Sequence, residues 1–235
     1  MRRRVFVGHD QREANAFQVC VRSMNYHARS LPPVVLPVSR LTLGERYARP
    51  TKRSGGVLWD EISQEPMSTD FSLARFFVPL LAPRDEWVLF CDCDFLWRAD
   101  VNRLFALADD RYAVMVVKHE HSHGAEKKMD AQPQTYYHRK NWSSLMLFNC
   151  AAPECRALSL DVLNRETKHW LHGFFWVQDP ARIGALSPTW NWLAGVSAEI
   201  PPPGPNVVHH TLGVPSMPGY EDAPYAEEWR RYASR

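Results

Sequence analysis

Near the middle of the chain lies the run Glu86-Trp-Val-Leu-Phe-Cys91-Asp92-Cys93-Asp94, in which a stretch typical of a buried strand ends at two carboxylates. In an extended chain, residues i and i+2 share a face, so Asp92 and Asp94 can aim at one point. Two carboxylates this close raise each other's pKa, and a hard divalent cation relieves their repulsion. The run therefore predicts a strand end that binds Mg²⁺ or Mn²⁺ together with phosphate oxygens. The plainer alternative is a strand end with two surface aspartates.

Strands and helices are predicted to alternate around this run. Arg4-Val-Phe-Val-Gly8 and Val34-Val-Leu-Pro-Val38 are typical of strands, and residues 13–26 between them have apolar side chains at helical spacing. Asp10 is a plausible N-cap for that helix, with Glu13 three residues later as in a capping box. Helices are also predicted over 71–81, 100–107 and 155–164, strands over 112–117, 142–148 and 207–208, and a long loop over 44–68.

This alternation favours a single α/β domain, with a mostly parallel mixed sheet flanked by helices. A length of 235 residues fits one domain with a large core. In such sheets, ligands bind at the carboxyl ends of the strands, which is where Asp92 and Asp94 are predicted to lie.

The composition excludes several classes of protein. With 45% hydrophobic and 23% charged residues, the chain is not disordered throughout. Lysines and arginines number 28 against 26 acidic residues, and this net charge of +2 gives no sign of nucleic-acid binding. No apolar run reaches the roughly 20 residues of a membrane helix. Five cysteines without zinc spacing indicate reduced thiols, and hence a cytoplasmic protein.

Two further segments carry groups suited to a metal and a diphosphate. Arg75 lies on the predicted helix before the aspartate run, and an arginine fork binds phosphate oxygens. Near the C-terminus, Val207-Val-His209-His210 places neutral imidazoles at another strand end.

In their order along the chain, these motifs resemble the GT-A-fold glycosyltransferases, in particular retaining family 8 and related bacterial nucleotide-sugar transferases. The resemblance covers most of the chain. The segments that carry it are Phe6-Val-Gly-His-Asp10, Phe71-Ser-Leu-Ala-Arg75, Phe90-Cys-Asp92-Cys-Asp94, Asn141-Trp-Ser-Ser-Leu-Met-Leu-Phe-Asn149, Pro188-Thr-Trp-Asn191 and Val207-Val-His209-His-Thr-Leu-Gly213.

The resemblance implies a GT-A-like, Rossmann-like domain and a set of site residues. Asp92, Asp94 and His209 would hold the metal, with His210 as the alternative to His209. The residues implied in donor binding are Gly8, Asp10, Arg12, Arg75, Asp92, Cys93 and Asn149. The candidates beneath the sugar carbon are Gln178 and Asp179, although Val177 stands where family 8 has its first aspartate.

The implied activity is transfer of a sugar from a nucleotide-sugar donor, a UDP-sugar, with a divalent metal and with retention. The acceptor stays open between a saccharide, a lipid-linked saccharide, a protein and a small molecule, and an oligomer is compatible with the sequence. Residues 1–117 would form the nucleotide-binding half, 118–214 the acceptor and sugar half, and 215–235 a C-terminal tail. The alternatives are a haloacid-dehalogenase-like phosphatase and a non-catalytic nucleotide-sugar-binding module.

Three weaker patterns have both a functional and a structural explanation. His119, His121 and His123 alternate after a predicted strand, which suits acceptor contact or a metal but also an exposed loop. The polar residues 127–140 suit a lid over the substrates or an ordinary loop. The indoles of Trp142, Trp190 and Trp192 suit either sugar stacking or the core.

Overall fold

The computed structural model describes residues 3–29, 31–120, 139–200 and 202–234. Within these ranges, the strands are β1 (Arg4–Gly8), β2 (Val34–Val38), β3 (Thr51–Ser54), β4 (Val57–Asp60), β5 (Glu65–Met67), β6 (Trp87–Cys91), β7 (Phe95–Trp97), β8 (Val114–Val116), β9 (Leu145–Asn149), β10 (Ile183–Ala185), β11 (Trp192–Leu193) and β12 (Val207–His209). The α-helices are α1 (Ala14–His27), α2 (Arg40–Leu43), α3 (Val101–Phe105), α4 (Pro153–Ala157), α5 (Leu160–Arg165), α6 (Lys168–His172) and α7 (Ala226–Ala233). No helix in the described ranges is long and apolar enough to span a membrane.

The centre of the fold is a six-stranded sheet in the order β10-β8-β9-β6-β1-β2. Strand β9 runs antiparallel to both neighbours, and the remaining pairs are parallel. Strands β6 and β9 are almost wholly buried, as expected for strands covered on both faces. The predicted α/β fold with a mostly parallel mixed sheet is confirmed.

A second sheet, in the order β11-β12-β7, begins where the central sheet ends. Strand β7 starts at Phe95, directly after Asp94, and runs antiparallel to β12 so that Phe95 lies opposite His209. This pairing brings the end of the aspartate run next to a histidine from the C-terminal part of the chain.

The predicted long loop over residues 44–68 instead contains a three-stranded antiparallel sheet, β3-β4-β5. Arg49 and Asp60 form a fully buried ion pair there, with Nη2 2.7 Å from Oδ2. Arg49 Nη1 also donates to the carbonyls of Leu163 and Glu166, which ties this sheet to α5. These strands are short, and β3 is largely exposed, so their pairing depends on tertiary contacts that no local sequence pattern indicates.

Two of the predicted helices have a different structure from the one expected. Residues 71–81 contain a 3-10 helix, Ala74–Leu80, because Pro79 lacks the N–H of an α-helix and its ring crowds the preceding turn. Residues 155–164 are divided between α4 and α5, since Ser159 caps α5 through a hydrogen bond from the amide of Val162.

The predicted C-terminal tail, residues 215–235, contains the helix α7. This helix packs on α1 and buries Trp229 and Tyr232. Arg22 of α1 donates to the carbonyl of Tyr232 at 2.9 Å. Because α1 also packs on β7, this contact forms part of the support behind the second sheet.

Candidate metal and donor site

Three side chains meet at the carboxyl end of β6. Asp92 and Asp94 follow this strand, and His209 ends β12 opposite Phe95. One ligand atom from each of the three residues lies within 4.8 Å of the other two. The structure therefore brings together the metal residues predicted from the sequence.

The imidazole of His209 is held by Asn191. Nδ2 of Asn191 lies 2.8 Å from Ser144 Oγ and 3.4 Å from the carbonyl of Asn141, so this atom is the amide donor. Oδ1 of Asn191 then faces His209 Nδ1 at 2.9 Å, and it can only accept. In the neutral ring, Nδ1 therefore carries the proton and Nε2 carries the lone pair.

That lone pair points toward a carboxylate. His209 Nε2 lies 3.3 Å from Oδ1 of Asp94, and His209 is almost fully buried. Two atoms with lone pairs face each other, which is unfavourable unless a proton or a cation lies between them. Two carboxylates and one imidazole suit Mn²⁺ or Mg²⁺, so the residues present fit the metal predicted from the sequence.

His210 points elsewhere. Its Nε2 lies 3.0 Å from the carbonyl of Pro224 in the C-terminal segment, while its backbone amide donates to the carbonyl of Asp94. Burial lowers the pKa of His210, because the charged ring would lose its hydration. Of the two adjacent histidines, His209 is thus the one whose ring lies among the carboxylates.

Arg75 lies beside the same carboxylates. Its Nη1 is 3.0 Å from Asp92 Oδ1 and donates to the carbonyl of Ser143 at 2.9 Å. The guanidinium lies 5.0 Å from the centre of the Phe90 ring and 5.4 Å from that of Phe71. These contacts hold the buried guanidinium in place, so a positive charge lies beside Asp92.

The end of β1 lies next to the end of β6 in the sheet. Gly8 is needed for packing, because a Cβ there would lie 2.5 Å from the Phe71 ring. Asp10 accepts hydrogen bonds from the amides of Arg12 and Asp70 and from the guanidinium of Arg12. Burial raises the pKa of Asp10, but these hydrogen bonds outweigh burial and leave it lowered. Gly8, Asp10 and Arg12 thus lie on the expected sheet edge, with Asp10 bonded within the protein.

Asp10 is an N-cap as predicted, at the start of the 3-10 turn Gln11–Glu13 that precedes α1, but no capping box with Glu13 is seen there. The side chain of Glu13 accepts from Cys93 Sγ at 3.0 Å. Burial raises the pKa of the Cys93 thiol well above its usual range, and the carboxylates of Glu13 and Asp94 add to that effect. The side chain of Cys93 thus lies in the core as a neutral thiol, and only its backbone lies between the two aspartates.

Three predicted site residues lie at the other end of the central sheet, near the beginning of β6 rather than its carboxyl end. Asn149 pairs with Trp87 at the beginning of β6, because β9 runs antiparallel to β6. Gln178 and Asp179 are exposed and precede β10. The first residue of β10, Ile183, pairs with the first residue of β8, Val114, so both strands begin at this end of the sheet. Asp179 caps the turn there by accepting from the amide of Ala181. The structure corrects the expectation that these three side chains lie near the metal residues.

Sequence reasoning missed a buried pair next to Arg75. His172, at the end of α6, lies with Nδ1 2.8 Å from Ser143 Oγ, and the carbonyl of Ser143 accepts from Arg75. Burial lowers the pKa of His172 well below its usual range, and the charge of Arg75 adds to that effect. A single histidine at the end of a short helix has no sequence spacing that marks it, so only the fold reveals this contact.

The weaker sequence patterns are mostly structural where they are described. Trp190 and Trp192 are buried in the core, and Trp142 is half-buried. The Trp142 indole donates to the carbonyl of His119 at 3.0 Å, and Lys118 Nζ lies 5.7 Å from its ring. His121, His123 and most of the predicted lid, residues 127–138, lie outside the described residues.

Comparison with solved structures shows which fold this is. Apo WbbM, a bifunctional glycosyltransferase, matches with a TM-score of 0.64 at 13% identity, over 100% of this chain and 50% of that one. The glycosyltransferase GlyE of Streptococcus pneumoniae TIGR4 matches with a TM-score of 0.61 at 15% identity, over 100% of this chain and 61% of that one. The chain thus spans about half of WbbM and three-fifths of GlyE.

A third solved structure matches along nearly the whole of both chains. The galactosyltransferase LgtC, in complex with donor and acceptor sugar analogs, has a TM-score of 0.57 at 16% identity, over 98% of this chain and 95% of its own. The match covers nearly the whole of this chain and confirms the expected GT-A fold.

A plant protein is similar to this chain in sequence. Protein CDI of Arabidopsis thaliana is 39% identical over 229 residues, which cover 96% of this chain and 84% of that protein. No protein-family model matches the chain. The chain has the GT-A fold, and it belongs to the family of Protein CDI.

Proposed function

We propose that this protein is a metal-dependent glycosyltransferase that takes a sugar from a nucleoside-diphosphate donor. The observation that carries the proposal is the meeting of Asp92, Asp94 and His209 at the carboxyl end of β6, with Nε2 of His209 3.3 Å from Oδ1 of Asp94. This is the edge at which α/β sheets bind ligands. The fold match to glycosyltransferases, including LgtC with its donor and acceptor analogs, supports this activity over the haloacid-dehalogenase alternative.

In the proposed site, Asp92, Asp94 and His209 would hold Mn²⁺ or Mg²⁺. When bound, the metal would neutralise charge on the diphosphate leaving group. Arg75 supplies a second positive charge beside Asp92, and the backbone of Gly8 and Cys93 borders the same edge. Donor contacts by Gly8, Asp10, Arg12, Arg75 and Cys93 are part of this proposal.

A UDP-sugar as donor and retention of configuration rest on the sequence resemblance. Because Gln178 and Asp179 lie at the far edge, neither supports a covalent step at the sugar carbon. We therefore favour the route without a protein nucleophile. In that route, the bond from the sugar carbon to the diphosphate breaks, the acceptor oxygen bonds to the same face, and the acceptor proton passes to a departing phosphate oxygen. The acceptor stays open between a saccharide, a lipid-linked saccharide, a protein and a small molecule.

The chain's organisation and location are also proposals. The halves 1–117 and 118–214 share the central sheet, which is consistent with one domain that binds the nucleotide through its first half. All five cysteines are buried free thiols, and this supports the proposed cytoplasmic location.

The test is thermal stabilisation by UDP, GDP and CDP, each with and without Mn²⁺. A ligand at 100 times its dissociation constant adds about 2.7 kcal/mol to the free energy of unfolding. We expect one nucleotide to stabilise the wild type only with Mn²⁺ and to have no effect on Asp94→Asn. The matched control is Asp179→Asn, an exposed aspartate at the opposite edge, which should keep the response.

Absence of stabilisation by all three nucleotides in folded wild-type protein would contradict the proposal. Hydrolysis of the sugar donor that carries the stabilising nucleotide is then measured, because an enzyme hydrolyses it slowly and a non-catalytic binding module does not. Slow, metal-dependent release of the nucleoside diphosphate is expected from the wild type and not from Asp94→Asn.

A further inference from the structure

A cavity of about 410 Å³ lies at the end of the β7–β12 ribbon that is farther from the metal residues. Asp94 precedes β7 and His209 ends β12, whereas Arg98 follows β7 and Asn206 precedes β12. The amide of Arg98 donates to the carbonyl of Asn206 at 2.9 Å, which closes this end of the ribbon. Three residues of β7 separate Asp94 from Arg98, a distance of about 10–14 Å in an extended strand. The cavity is therefore separate from the metal residues.

Three of the ten residues that line this cavity are arginines. Arg29, Arg98 and Arg103 face one acidic lining residue, Asp100. The carboxylate of Asp100 is already used at the start of α3, where it accepts from the amide and side chain of Asn102. In the part of the chain that is described, the guanidinium groups of Arg29 and Arg103 form no ion pair or hydrogen bond. The cavity thus offers two exposed arginine forks with no anion assigned to them.

The third arginine is fixed in place. Arg98 Nε lies 2.8 Å from Glu228 of α7, and Nη1 donates to the carbonyl of Pro205 at 2.8 Å. Its guanidinium lies 4.5 Å from the centre of the Tyr225 ring. Gly204 allows this packing, because its φ is +85° and a Cβ there would lie 3.2 Å from Arg98 Nη1. A fixed arginine needs less ordering when an anion binds.

We propose that this cavity is a second binding site, for a small phosphate-bearing ligand contacted by Arg29, Arg98 and Arg103. Guanidinium forks match the oxygens of phosphate in shape and charge. A volume of about 410 Å³ lies within the range of small-molecule sites. The site needs no divalent metal, and it does not depend on the proposed transferase activity.

The test is isothermal titration of the whole chain with inorganic pyrophosphate and with inorganic phosphate, in EDTA. The variant is Arg29→Ser/Arg103→Ser. Its control is Arg46→Ser/Arg84→Ser, which removes the same charge from two exposed arginines elsewhere. Asp94→Asn is titrated as well, to separate this cavity from the donor site. Circular dichroism shows that each variant is folded.

We expect pyrophosphate to bind the wild type, the control and Asp94→Asn with similar affinity, and to bind Arg29→Ser/Arg103→Ser at least tenfold more weakly. The proposal is overturned if pyrophosphate does not bind the wild type, if both double variants weaken equally, or if Asp94→Asn loses binding.

Flotation with phosphatidylcholine vesicles, with and without phosphatidic acid, then identifies the source of the phosphate. Arginine-dependent flotation only with phosphatidic acid assigns a lipid headgroup, and binding of soluble pyrophosphate alone assigns a free ligand. Flotation that is equal in the variant and the control would contradict a lipid role for the cavity.

Discussion

Nε2 of His209 lies 3.3 Å from Oδ1 of Asp94, although the two residues come from distant parts of the chain. The antiparallel pairing of β7 and β12 creates this contact, since it sets His209 opposite the residue that follows Asp94. The ring cannot turn away, because Asn191 holds its other nitrogen. The site is thus built from one strand end, one paired strand and one amide behind the histidine.

Asn191→Ala is expected to weaken Mn²⁺ binding by about 10–100-fold, because His209 loses the acceptor that fixes its tautomer and orientation. Mn²⁺ affinity is measured by electron paramagnetic resonance on the folded variant. Asn164→Ala is the control, since this amide bonds backbone groups of residues 46 and 48 away from the site. Equal affinities in both variants would show that Asn191 does not orient a metal ligand.

The two adjacent histidines are expected to differ in effect. His209→Ala should abolish Mn²⁺ binding, while His210→Ala should preserve it within about threefold. His210→Ala removes the hydrogen bond to Pro224, so it should lower the free energy of unfolding by roughly 1 kcal/mol. Metal titration and urea unfolding of both variants check this, and loss of Mn²⁺ binding in His210→Ala alone would reverse the assignment.

Acid should destabilise the protein partly through His172. The folded-state pKa of His172 lies well below its ordinary value of 6.5, so as the pH falls below 6.5 the unfolded chain binds a proton that the folded chain does not. Stability from this group is present above pH 6.5, and it declines by up to about 1.4 kcal/mol per pH unit below it.

Urea unfolding between pH 5 and 7 measures this slope. His172→Gln should have a shallower slope than the wild type, since the titrating ring is gone. His169→Gln, on the exposed face of the same helix, should keep the wild-type slope. If the free energy of unfolding of His172→Gln falls with pH as steeply as that of the wild type, His172 does not contribute to the loss of stability in acid.

Arg49→Met is expected to cost about 3–5 kcal/mol of unfolding free energy, because it leaves Asp60 buried without its cation. Arg165→Met is the control. Its exposed pair with Asp161 is of the kind worth at most about 0.5 kcal/mol. Chemical denaturation of both variants gives the difference, and similar midpoints would show that the β3-β4-β5 sheet tolerates loss of this pair.

Some parts of the fold could be predicted because their signals are local. Apolar runs ending in polar residues identify β1, β2 and β6, and the helical spacing of Phe17, Cys20 and Met24 identifies α1. The β3-β4-β5 sheet could not be predicted, since its strands are short and half-exposed. Helix α7 could not be predicted either, because its burial comes from α1 at the other end of the chain.

The sequence alone determined which residue types make up the candidate metal site. Adjacent carboxylates after a buried strand and a histidine near another strand end need only periodicity and the order of motifs to be recognised. The tertiary structure decided which residues meet. Strand direction placed Asn149, Gln178 and Asp179 at the strand ends away from Asp92, and strand pairing set the ring of His209, not that of His210, beside Asp94. It also brought Asn191 and His172 to the site, because strand pairing and burial are set by contacts between distant segments and leave no local pattern in the chain.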